Sequence, residues 1–78
     1  MARKVLDCRG MNCTGPLMAT ARKMQKLKPG DMLEVWVDDL ASEFDIPAWC
    51  QQAGHTIVRK EIRDDYYSYL IRKKGSGV

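Results

Sequence analysis

Three cysteines and one histidine are the residues of this chain best equipped for covalent or metal chemistry. Cys13 has the most telling surroundings. The run Cys13-Thr14-Gly15-Pro16 falls where a short strand, Val5 to Cys8, and an Arg9-Gly10 turn give way to an amphipathic helix over Leu17 to Leu27. A cysteine just before a helix N-terminus faces unpaired backbone N–H groups and the positive end of the macrodipole. Both favour an anion, so a thiolate is stabilised there. Lowering a thiol pKa from about 8.5 to about 7 takes roughly 2 kcal/mol of preferential anion stabilisation, and a helix end with nearby cations can supply it. Arg9 and Arg22 are the nearest candidate cations in sequence.

The other candidates carry weaker signals. Cys8 could resolve an oxidised Cys13 across the Arg9-Gly10 turn, against the simpler reading that it packs beneath the strand. Cys50 falls within a second helix and reads as core. A Cys₃His zinc set built from Cys8, Cys13, Cys50 and His55 is disfavoured by its Cys-x₄-Cys start and by the separation of its members, so no metal is expected. His55 has no Asp or Ser at recognisable spacing for a Cys-His hydrolase and reads as an exposed turn residue. No cofactor-binding motif is present in the sequence.

These residues must be positioned by a small frame. Seventy-eight residues suit one domain, expected over residues 1–74 with a flexible tail at 75–78, and leave little chain for separate substrate and cofactor lobes. The 45% hydrophobic content is that of a globular chain, and its short apolar runs exclude a membrane span. No apolar leader follows Met1, and an odd cysteine count argues against a secreted disulfide scaffold, so a reducing cytoplasm is expected. A net charge of +3 is too mild to select nucleic acid as a partner.

In chain order, Arg3 to Cys8 reads as strand. Leu17, Ala21, Met24 and Leu27 form a core-facing helical stripe, with Arg22, Lys23, Lys26 and Lys28 largely outside it. Pro29-Gly30-Asp31 stops that helix. Leu33, Val35 and Val37 alternate with Glu34, Trp36 and Asp38 as a strand buried on one face. Ser42 and Asp45 read as a capping box for a second helix whose apolar face is Phe44, Ile46, Trp49, Cys50 and Ala53. Pro47 should make its first turns irregular, and Gly54 should end it. Thr56 to Ile62 and Tyr67 to Arg72 form a hairpin about Arg63 to Tyr66.

The order strand, helix, strand, helix, strand, strand specifies an α/β two-layer sandwich whose right-handed crossovers run the first three strands parallel. Functional groups in such sheets collect beyond the strands' carboxyl ends. Cys13 and the pair Asp38-Asp39 belong to that edge, and His55 to the opposite one.

Asp7-Cys8-Arg9-Gly10-Met11-Asn12-Cys13, the Pro16-Leu17 helix start, Lys28-Pro29-Gly30, Asp38-Asp39, Asp45-Ile46-Pro47, Gly54-His55 and the ending Tyr67 to Lys73 follow one another nearly end to end along the chain. Together these motifs resemble the TusA/SirA-like sulfur carriers. The resemblance implies a mixed four-stranded sheet with two helices on one face and the last strand central and antiparallel. It also implies a persulfide relay, in which the cysteine of a Cys-Pro-x-Pro motif accepts sulfane sulfur from a donor such as a cysteine desulfurase. That sulfur then passes to a downstream acceptor protein, as in tRNA thiolation or sulfur metabolism. Cys13 takes this role by position, and Cys8, Thr14 and Arg9 are its candidate auxiliaries. Thr14 stands where the family has the first proline; its hydroxyl can cap the helix, and it keeps a backbone N–H that proline lacks.

Two other functions fit parts of the sequence. A nucleic-acid-binding module would use the basic helix with Trp36, Tyr67 and Tyr69 as a stacking platform, although no RNP-like motif accompanies them. A thiol redox sensor would use Cys8 and Cys13.

Overall fold

The computed structural model describes residues 3–10 and 15–75. The elements run β1 (Arg3–Asp7), α1 (Gly15–Gln25), β2 (Met32–Val37), α2 (Leu40–Ala53), β3 (Thr56–Ile62) and β4 (Tyr67–Arg72). The sheet order is β1-β2-β4-β3. β2 pairs parallel to β1, and β4 lies antiparallel between β2 and β3. Strands β1, β2 and β3 therefore share one direction, and their carboxyl ends define one edge.

Alternation decides which face is covered. Leu33, Val35 and Val37 are 0% exposed and pair with Ile71, Tyr69 and Tyr67. Met24 and Leu27 from the α1 region and Ile46 and Cys50 from α2 join the same core, so both helices lie on that face. Each fully buried aliphatic side chain of this size contributes roughly 1.5–3 kcal/mol relative to exposure. Glu34 and Trp36 take the open face, where the Trp36 indole N–H donates to the Glu34 carboxylate at 2.5 Å.

Local sequence signals differ from the observed elements in four places: the α1 stripe, the α2 cap, Phe44 and Pro47. The buried stripe of α1 is Pro16, Thr20 and Met24, with Leu17 and Ala21 only half-buried. Thr20 can occupy the core because its hydroxyl donates to the Pro16 carbonyl at 2.7 Å, one turn earlier. The cap of α2 is Asp39, whose carboxylate accepts the Ala41 N–H, while Ser42 lies buried inside the first turn. With Ser42, Ile46 and Cys50 facing inward, Phe44 is rotated away from the core and stands 73% exposed.

Pro47 sits inside an unbroken α2 instead of loosening its start. Proline has no N–H for the carbonyl of the residue four positions earlier, here Glu43. Tyr69, reaching up from the central strand, donates its hydroxyl to that Glu43 carbonyl at 3.3 Å. The helix ends as expected at Gly54, which adopts φ +85° and donates its N–H to the Cys50 carbonyl.

Candidate functional site

The edge at the carboxyl ends of the strands is built from the last residues of β1. The Cys8 N–H donates to the Trp36 carbonyl at 2.8 Å, carrying the β1–β2 pairing one step past the strand. This turns the Cys8 side chain into the core at 0% exposure. Burial, and secondarily the charge of Asp7, pushes its thiol pKa up.

Arg9 and Gly10 then form a turn held from both sides. The Asp7 carboxylate accepts the Arg9 backbone N–H at 3.0 Å and two guanidinium N–H groups at 3.0 and 2.9 Å. These bonds hold the Asp7 carboxyl below its ordinary range and raise Arg9 above its own. The Arg9 guanidinium carbon also lies 5.1 Å from the Trp36 ring centre and 5.1 Å from that of Tyr66. The two rings are themselves 5.3 Å apart, so cation and aromatics form one cluster on the open face. Gly10, at φ +85°, donates its N–H to both carboxylate oxygens of Asp38, at 3.1 and 3.0 Å.

Cys13 and Thr14 lie outside the described residues. In sequence they occupy the link between Gly10 and Gly15, the first residue of α1, and Cys13 stands three residues after the tethered Gly10. Arg9, the remaining candidate auxiliary, is committed to Asp7, Trp36 and Tyr66. Of the expected acidic pair, Asp38 holds the turn and Asp39 caps α2.

The residues expected away from this edge are found away from it. Cys50 is 2% exposed in α2, and burial raises its thiol to about 11. His55 lies beyond the other end of α2, where its Nδ1 accepts the Lys74 N–H at 3.1 Å and its ring lies 5.1 Å from that of Trp49. Burial first, then Lys74 and Lys73, lowers its pKa. Cys50 and His55 therefore do not converge with Cys8 on a zinc site.

The stacking platform of three aromatics does not form. Trp36 is on the open face, while Tyr67 and Tyr69 pair with Val37 and Val35 and pack toward the helices. Tyr66 is the residue that sequence reasoning passed over, as part of a turn. Its partnership with Trp36 depends on the hairpin register, which no local pattern announces.

Comparison with known proteins agrees with this frame. A family model described as sulfurtransferase TusA matches residues 4–73. A putative sulfur carrier protein of Archaeoglobus fulgidus is 36% identical over 69 residues, covering 88% of this chain and 94% of its own. The sulfur carrier protein TusA of Pseudomonas aeruginosa is 39% identical over 70 residues, covering 90% of this chain and 89% of its own. A crystal structure of a SirA-like protein from Desulfitobacterium hafniense superposes with a TM-score of 0.81 at 18% identity, covering 91% of this chain and 97% of that one, and so shares the fold. Among the described residues, no helix is long and apolar enough to cross a membrane.

Proposed function

The chain belongs to the TusA family of sulfur carriers, and from that premise we propose that Cys13 is the residue on which it carries sulfur. The observation that supports this most is the fate of the other two thiols. Cys8 and Cys50 are 0% and 2% exposed, and burial raises the pKa of both, so neither is ready to act as a thiolate at neutral pH. Cys13 remains, two residues ahead of α1 and just after a turn fixed by Asp7 and Asp38.

The transfer is an exchange between thiolate and persulfide. The Cys13 thiolate attacks the terminal sulfur of a donor persulfide, forming a new S–S bond while the donor S–S bond breaks. The donor leaves as a thiolate and the proton stays on the terminal sulfur. The acceptor's thiolate then repeats the attack on Cys13-S-SH. Sulfane sulfur moves without net oxidation or reduction, so no metal, flavin or nicotinamide is needed. A cysteine desulfurase is the donor class this chemistry suits, a downstream thiol protein the acceptor, and a reducing cytoplasm the compartment that keeps Cys13 free.

Intact mass tests the assignment. Reduced protein is incubated with a cysteine desulfurase and cysteine, or with inorganic polysulfide, and compared with Cys13→Ser, Cys8→Ser and Cys50→Ser. A sulfur-sized, reductant-reversible gain absent only in Cys13→Ser is expected. No gain in wild type from either source would overturn the assignment.

A further inference from the structure

The three most exposed large apolar side chains among the described residues are Leu40 at 67%, Phe44 at 73% and Ile62 at 73%. All three belong to one region of the surface. Leu40 and Ile62 line a single open cleft with Asp38, Asp64, Asp65 and Tyr66, between the start of α2 and the β3–β4 turn. Phe44 lies one helical turn beyond Leu40 on the same side of α2. Such clustering of apolar surface in a small chain marks an interaction site more often than chance exposure does.

The charge around the cleft runs against the rest of the molecule. The chain as a whole carries +3. Among the described residues lining the cleft, Asp38, Asp64 and Asp65 stand against a single base, Arg63, which is drawn to Glu61 at 3.3 Å, while Arg9 acts on Asp65 from beside Tyr66 and is itself neutralised by Asp7. An acidic rim around apolar anchors rejects a phosphate backbone and selects a basic partner. The cleft is also joined to the turn that leads to Cys13, because Asp38 lines it and holds the Gly10 N–H. A partner seated there lies beside the Gly10 turn, three residues before Cys13 in the sequence.

We propose that this cleft, with Leu40, Phe44 and Ile62 as anchors and Asp64 and Asp65 as rim, is the docking surface for the protein that exchanges sulfur with Cys13, and that this partner presents a basic patch around an apolar centre. The identity of the partner's role rests on the sulfur-carrier reading of Cys13, whereas the surface and its preferred chemistry do not.

Amide chemical shifts of the full chain, titrated with two peptides, test the surface. One peptide flanks Phe-Leu with Lys and Arg, and the other flanks Phe-Leu with Asp and Glu. The basic peptide is expected to shift the amides of Leu40, Phe44, Ile62 and Asp64 saturably, with affinity falling as salt rises. Leu40→Ser with Ile62→Ser, both at exposed positions, should weaken that binding about tenfold, the loss expected on removing central apolar anchors. The triple Leu40→Ser, Phe44→Ser, Ile62→Ser protein should still load sulfur from polysulfide at the wild-type rate. Shifts mapping elsewhere, equal binding of the acidic peptide, or a dimer in sedimentation that the triple substitution abolishes would each overturn the proposal. Failure of wild type to load from both polysulfide and a cysteine desulfurase with cysteine would instead overturn the assignment of Cys13 and leave the docking result standing.

Discussion

Gly10 gives its backbone N–H to the carboxylate of Asp38, twenty-eight positions later, through contacts of 3.1 and 3.0 Å. The bond ties the turn after β1 to the first residue beyond β2. It is the last anchor the described chain shows before the segment containing Cys13, while Pro16, buried in α1, is the first anchor after it. Two neighbouring parallel strands and the helix between them thus fix both ends of the link that contains Cys13 in the sequence.

Asp38→Ala should therefore act on sulfur loading more than on stability. An exposed hydrogen bond of this kind is worth roughly 0.5–1.5 kcal/mol, so urea denaturation is expected to show only a small loss. Loading of Cys13 from polysulfide should slow and Asp38→Asn, which keeps an acceptor oxygen, should recover part of the rate. Equal loading by all three proteins would show that the tether does not govern the thiol.

Alkylation should separate the three thiols without any partner. In native protein at neutral pH, iodoacetamide is expected to modify Cys13 first, because the thiolate is the reactive form and Cys8 and Cys50 are buried. All three should react in denaturant. Native modification of Cys8 at a rate matching Cys13, read by peptide mass, would give the redox-pair reading a reactive partner that burial argues against.

The buried Cys50 thiol makes stability fall in alkali. Its folded pKa is about 11, raised from 9.0 by burial. Below the unfolded value both states are neutral and the contribution is complete. Between that value and the folded one the unfolded chain releases its proton while the folded chain keeps it, so stability declines as pH rises. The shift corresponds to about 2–3 kcal/mol. Cys50→Val should flatten the difference in unfolding free energy between pH 8.5 and 11 by about that amount. An unchanged slope would mean that the thiol does not resist ionisation.

Arg9 is expected to act through the turn and not through its charge. Its guanidinium already satisfies the Asp7 carboxylate, and the pair presents little net field to a neighbouring thiolate. Arg9→Ala should change Trp36 emission, since a cation leaves the indole face, and slow loading of Cys13 while leaving the pH at which its alkylation rate turns on nearly unmoved. A rise of that pH by about one unit would instead make Arg9 a direct stabiliser of the thiolate.

Much of this frame can be read in the sequence, and the reasons for the exceptions are physical. Leu33, Val35 and Val37 announce their strand because one face is buried and the other wet, and Gly54 announces a helix end because its φ is positive. The cap of α2 is ambiguous locally, since Asp39 and Ser42 can both accept an N–H, and only the packing of Ser42 against the core decides between them. Thr20 looks polar until its bond to Pro16 is known. The cysteine and its helix are legible as a motif. Yet the cluster of Asp7, Arg9, Trp36 and Tyr66 follows from register: Asp7 lies opposite Trp36, and the β3–β4 turn brings Tyr66 beside it. Pairings between distant segments leave no periodic trace in either one.

The same dependence on distant pairing explains Pro47 and supplies its test. The Glu43 carbonyl, which Pro47 cannot satisfy, accepts the hydroxyl of Tyr69, itself 1% exposed in the central strand. Tyr69→Phe should cost about 1–3 kcal/mol, because it removes the donor and leaves the carbonyl short of a partner. Pro47→Ala restores a backbone N–H to that carbonyl. In the Pro47→Ala background the same Tyr69→Phe change should cost about 1 kcal/mol less, a coupling that a double-mutant cycle in urea measures directly. Strict additivity would mean that water, and not Tyr69, holds the carbonyl. The expected coupling would show that the central strand carries the hydrogen bond that lets α2 run unbroken through a proline, and so keeps Leu40 and Asp39 at the edge where the site is built.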